Sequence, residues 1–133
     1  MKNCRILVLA QKSAPSSPSY TDHLKERLIY FLFVLLEKYE RVAFVIGRDG
    51  KFEKLVAALA ERAQRAIGAE RVTVTHATHF LDGEFAQAHR HTVDGCDVLA
   101  CFIDRTEGNA YEVLLYAQHH GKSVFNFAYN MLL

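Results

Sequence analysis

Two carboxylates flanking a polar turn carry the densest chemistry in this sequence. Asp104 closes the run Asp97-Val-Leu-Ala-Cys-Phe-Ile-Asp104, and Glu112 follows across Arg-Thr-Glu-Gly-Asn-Ala-Tyr-Glu. A carboxylate at a strand end can receive ribose hydroxyls or act with a second carboxylate as an acid/base pair. Both residues also have plainer uses. An Asp leaving a strand builds an Asx-turn, and Asn109-x-x-Glu112 has capping-box spacing, where a first-turn Glu contributes about 1 kcal/mol or less. On a helical wheel Ala110, Val113, Leu114 and Ala117 share one core stripe. Glu112 lies about 200° round from Ala110, toward the rim, a partner or water.

Gly47 and Gly50 flank Arg48-Asp49 after an apolar run, a place suited either to close ligand approach or to a tight turn into a helix. Arg90 and Asp94 stand one helical turn apart and can pair. Seven histidines include His76-x-x-His79 and His89-x-His91, but neither Cys-x-x-Cys nor His-Glu-x-x-His spacing accompanies them. No metal or other cofactor is expected on that pattern. His119 and His120 before Gly121 suit a helix C-terminus. Cys4, Cys96 and Cys101 make an odd count, two of them inside apolar runs, which reads as reduced buried thiols in a reducing, cytoplasmic setting.

The elements that must position these groups follow from periodicity. Cys4–Ala10 is aliphatic throughout from Ile6, as in a strand buried on both faces. It leads into Gln-Lys-Ser-Ala-Pro-Ser-Ser-Pro-Ser, which holds both prolines of the chain and reads as a loop entering a helix near Ser19 or Thr21 that runs to about Tyr39. Val42–Ile46 is a second strand. Phe52, Leu55, Val56, Leu59, Ala63 and Ile67 recur at helical spacing before Gly68. Further strands are expected over Arg71–His76, Asp97–Ile103 and Ser123–Phe127, and helices over Glu84 to about Val93 and Asn109–His120. Strands alternating with helices on short connections specify a parallel sheet covered on both faces. The expectation is one α/β Rossmann-like three-layer sandwich spanning 1–133, with strand order 3-2-1-4-5. Ligands of such sheets sit beyond the carboxyl ends of the strands, which nominates the loops Gln11–Ser19, Gly47–Gly50, His76–Glu84 and Asp104–Asn109.

Composition narrows the partners. The 133 residues carry 16 Lys and Arg against 15 Asp and Glu, with no basic run, so a dedicated nucleic-acid surface is not expected and a small molecule is. A chain of this size buries about two thirds of its surface, enough for a core without disulfides. The apolar run Leu28–Leu36 has nine residues, short of the roughly 20 needed to span a bilayer. That run is nevertheless apolar on every face. One side can pack on the sheet and the other would meet water, so a homo-oligomer through the helix over 21–39 is expected, with burial under Tyr129–Leu133 as the rival.

The segment from Asp97 to Val124 resembles the SLOG superfamily, a Rossmann-like group that includes the Smf/DprA proteins, the LOG phosphoribohydrolases and YpsA-like proteins. Phe44-Val-Ile-Gly-Arg-Asp-Gly-Lys-Phe-Glu53 is similar to the Gly-x-x-Gly-x-Phe-Asp segment of the YpsA-like branch, and Arg90-His-Thr-Val-Asp-Gly-Cys-Asp97 to its Arg-x-x-Val-Asp-x-Ser-Asp segment. Nucleoside 2-deoxyribosyltransferases have a similar acid, Gly-Thr turn and helical Glu. The resemblance implies a nucleotide-like ligand, with Glu112 meeting the ribose or its anomeric carbon to stabilise oxocarbenium-like charge. It implies Asp104 as its partner and Gly47, Arg48, Gly50, Arg90, Thr106, Gly108 and Asn109 as ligand contacts. The chain departs from the pattern twice. Thr106-Glu107-Gly108-Asn109 keeps one glycine of the LOG Gly-Gly-x-Gly-Thr turn and adds an acid. Gln11-Lys12-Ser13-Ala14 replaces Gly-His-Arg, which leaves Lys12 and Ser13 to meet phosphate there. Two functions are therefore expected as alternatives: hydrolysis or transfer at an N-glycosidic bond, or non-enzymatic sensing of a nucleotide-derived ligand through an oligomer.

Overall fold

Short β-branched runs form the strands, and the segments of helical period between them carry the chain back over the sheet. In chain order the elements are β1 (Asn3–Ala10), α1 (Pro18–Lys38), β2 (Arg41–Ile46), α2 (Lys51–Ile67), β3 (Val72–His76), α3 (Gln87–Asp94), β4 (Val98–Phe102), α4 (Asn109–His119) and β5 (Ser123–Asn126). The structure is a computed structural model that describes residues 2–11, 18–48, 50–77 and 87–128. All four strand pairings are parallel, as the alternation of elements predicts, and the order is β3-β2-β1-β4-β5, as expected for a Rossmann-like fold.

Element ends differ from expectation for local reasons. α1 begins at Pro18, whose fixed φ and missing N–H suit a first helical turn. β4 stops at Phe102 rather than Ile103 because the Ile103 amide turns to the Asn126 side chain, at 3.1 Å. The expected helix start at Glu84 lies outside the described residues.

β1 sits at the centre of the sheet, and its last five residues, Ile6 to Ala10, are each at most 1% exposed. Alternate side chains feed two cores. Ile6 and Val8 join Phe44 and Ile46 under α1 (Leu28, Phe31, Leu35) and α2 (Phe52, Val56, Ala60). Leu7 and Leu9 join Leu99 and Cys101 under α3 (Val93) and α4 (Ala110, Val113, Leu114, Ala117), the stripe that the wheel marks. The thiols of Cys4, Cys96 and Cys101 are all buried and unpaired. Burial pushes Cys4 and Cys96 up to about 11 and Cys101 up to about 12 from the ordinary 9.0. Asp97 marks the opposite end of β4 from the candidate site, where its carboxylate accepts the Arg5 amide at 2.9 Å. No described helix is long and apolar enough to cross a membrane.

Candidate functional site at the carboxyl ends of the strands

The site is built around the peptide that ends β1. An acidic and a basic side chain hold the two peptide groups that flank the Ala10 Cα: the Ala10 N–H donates to Glu53 Oε2, and Arg48 Nη1 donates to the Ala10 carbonyl, each at 2.9 Å. Glu53 stands in the first turn of α2 and is 1% exposed. It shares the inward side of the helix with Val56, Ala57 and Ala60, so the side that buries apolar groups also carries this carboxylate inward. Its position explains Gly50. A Cβ at Gly50 would lie 2.8 Å from Glu53 Oε1, while the Gly50 backbone, at φ −99°, is one any residue adopts. Gly47 is likewise used internally, its amide donating to the Val8 carbonyl at 2.8 Å. Both glycines thus serve contacts within the chain, and Arg48 reaches the same strand end.

Gln11, the next residue, ties β1 to the loop between β4 and α4. Its Oε1 accepts the amides of Asp104 and Arg105, at 3.0 and 3.1 Å, and its Nε2 donates to the carbonyls of Arg105 and Glu107, at 2.7 and 3.2 Å. The other side of β4 is pinned by Asn126, which accepts the Ile103 amide and donates to the Ile103 carbonyl at 2.8 Å. The exit of β4 is therefore held between two side-chain amides. Asp104 emerges there exposed, and Arg105, Thr106 and Glu107 are exposed after it.

α4 starts without a side-chain cap. Gly108 occupies the cap position at φ 91°, ψ 173°, a region essentially reserved to glycine, and Asn109 is already helical. The capping-box alternative for Asn109 and Glu112 requires Asn109 at the cap itself, so it is not the geometry adopted. Glu112 is exposed in this first turn, with its amide on the Gly108 carbonyl at 3.1 Å. The first turn of α4 and the positive end of its dipole face the same end of the sheet as Asp104. Beside this turn a hollow of about 410 Å³ opens toward β5, bounded by Ile103, Arg105, Thr106, Tyr111, Leu114 and Asn126.

The structure thus brings Asp104, Thr106, Gly108, Asn109 and Glu112 to one end of the sheet, with Gly47, Arg48 and Gly50 across β1 from them. Arg90 is elsewhere. Its guanidinium lies 5.9 Å from the centre of the Tyr116 ring, in the second half of α4, because α3 packs alongside that half rather than at the strand ends. Asp94, the partner expected for Arg90, accepts the Tyr116 hydroxyl at 2.9 Å. Lys12 and Ser13 lie outside the described residues, as do His79 and the side chain of His89. His76 sits 3.7 Å from Glu61.

Two residues absent from the sequence-based candidates organise this end, Gln11 and Glu53. Glu53 had a legible signal: it is the one charged position on the inward side of α2. Gln11 had none beyond following an apolar run, since its four partners come from a loop more than 90 residues away.

The fold and the arrangement at the strand ends define a doubly wound, Rossmann-like α/β protein. No family model, curated protein or solved structure matches the chain, so any narrower reading rests on its own residues.

Proposed function

We propose that the chain is a SLOG-type domain that binds a nucleotide or nucleotide-derived ligand at the carboxyl ends of its strands. The observation that carries this reading is the opening of α4 at Gly108, which brings no side chain to the cap position, beside a hollow lined by apolar and polar groups. Helix amides suit a phosphate, and Ile103 and Leu114 with Arg105, Thr106 and Asn126 suit a flat, polar-edged base or a ribose. Gln11 takes the amides of Asp104 and Arg105, so a phosphate here would meet the first turn of α4 rather than that loop. In the catalytic form of this reading Glu112 stabilises charge at the anomeric carbon and Asp104 orients the ribose or moves the proton. Sensing without turnover is the second reading, favoured by the single glycine of the turn and by Glu107 beside it, which weakens an anion site. Self-association through the exposed apolar side of α1 and a reducing, cytoplasmic setting for the three thiols belong to the same proposal.

A thermal-shift panel of AMP, ADP-ribose, NAD and cyclic nucleotides tests binding, and chromatography of free base tests turnover. Stabilisation by a panel member is the expected result; a flat panel at high concentration removes the reading. Base release that falls to background in Glu112→Gln selects the enzyme, and stabilisation without release selects the sensor.

A further inference from the structure

One face of the sheet is unevenly covered. α2 packs on β1, β2 and β3, and α1 packs on β2 and α2 and reaches toward β5 through Phe31, which meets Phe125, and Arg27, which donates to the Phe127 carbonyl. What remains is a groove between α1 and the edge strand β5, a hollow of about 470 Å³ with Val98 and Phe125 on the sheet side and Tyr30 and Val34 on the helix side. Phe31 closes its inner edge, with ring centres 5.0 Å from Phe125 and 5.4 Å from Phe127. Apolar surface continues outward from it: Tyr30 is 72% exposed, Phe33 63%, Val34 41% and Phe125 37%. A helix, about 10 Å across, is an element that can cover such an apolar strip.

The charges on α1 indicate which helix. Its outward side carries Glu26 one turn before Tyr30, then Phe33 and Val34, then Glu37 and Lys38, while Arg27 turns inward and donates from Nη1 to the Phe127 carbonyl at 3.0 Å. One end thus presents an acid and the other a base beside an acid. A second α1 laid antiparallel about a two-fold axis at Leu32 sets Glu26 opposite the partner's Lys38 and Tyr30 opposite the partner's Val34. A parallel two-fold pair would instead set each of these charges opposite its own copy.

Resting on the self-association inferred above, we propose that what covers this face is a second copy of this chain, its α1 laid face to face on this one in that antiparallel register. The contact is isologous and closes at two copies. It covers the Tyr30, Phe33 and Val34 side of the helix.

Sedimentation equilibrium of the full chain tests both levels. The native protein is expected to be a dimer, and Tyr30→Asp with Val34→Asp a folded monomer by circular dichroism. Glu26→Lys alone, or Lys38→Glu alone, is expected to raise the dissociation constant about tenfold, since each reversal creates two repulsive contacts per dimer. The double variant carrying both reversals is expected to return to the native value. A native chain that is monomeric at every concentration overturns self-association itself. A dimer unaffected by the single reversals, or not restored by the double one, overturns the register alone. A chain that dimerises only after removal of residues 129–133 assigns the groove to that tail and overturns the proposal.

Discussion

Replacing Gln11 by Met keeps the length of the side chain and removes all four of its hydrogen bonds to the loop between β4 and α4. Each such bond contributes a net ~0.5–1.5 kcal/mol. Gln11 itself is 8% exposed, but Asp104, Arg105 and Glu107 are exposed and can recover water, which places the total at the low end, about 2–3 kcal/mol. For a chain of this size that lowers the urea midpoint by about 1–2 M with an unchanged slope. Gln11→Glu is the sharper companion. Its carboxylate still accepts the amides of Asp104 and Arg105, yet sets an oxygen against the carbonyls of Arg105 and Glu107 where an N–H had been. Only the protonated acid can donate there, so its folded pKa is raised. Its stability is then fully present below about pH 4.3 and lost as pH rises through the folded value. The Glu variant should approach the native protein at pH 4 and fall well below it at pH 7. A Met variant within 0.5 kcal/mol of native, or a Glu variant whose deficit does not depend on pH, would refute the argument that Gln11 binds the two loops together.

Gly108→Ala is expected to cost about 1–3 kcal/mol in urea unfolding from backbone strain alone, since no atom lies within 4 Å of the added Cβ. Gly108→Asn should cost as much, because ψ 173° is outside the left-handed helical region that Asn tolerates; a mild Asn variant would contradict this. The three thiols have folded pKa values raised from 9.0 to about 11 or 12, so their contribution to stability is complete below pH 9 and declines as pH climbs toward 11. Urea midpoints from pH 7 to 10.5, with thiol labelling at pH 8 that is rapid only in urea, check this; rapid labelling of the native protein would contradict it.

The sheet was readable from sequence because its strands are unusually pure. From Ile6 to Ala10 the first strand has no polar face to argue over, and punctuation by Gly68 and Gly121 separates the neighbouring helices from the strands that follow. Strand and helix ends were less legible, because side chains decide them: Asn126 withdraws the Ile103 amide from the ladder. At the site, spacing located Asp104, Gly108 and Glu112 on one loop and helix start. It misplaced Arg90, since a helix's direction across a sheet depends on packing that no local pattern encodes. For Gly47 and Gly50 it left both ligand approach and a tight turn open; the buried Glu53 occupies the space that a Gly50 Cβ would need, and the Gly47 amide donates to a strand carbonyl. Interactions between residues remote in sequence, Gln11 above all, left no trace in composition or period.

The central place of β1 has a kinetic consequence. Asn3 pairs with Arg41, and Ile6 also needs Val98, so the most apolar strand of the molecule gains its second neighbour only after most of the chain exists. At about 5–20 residues per second, a ribosome leaves that edge open for several seconds or more. Refolding from denaturant faces the same delay through the entropy of closing so long a loop. Aggregation during synthesis should therefore begin at β1, and chaperones that bind short aliphatic segments should recognise the nascent chain there first.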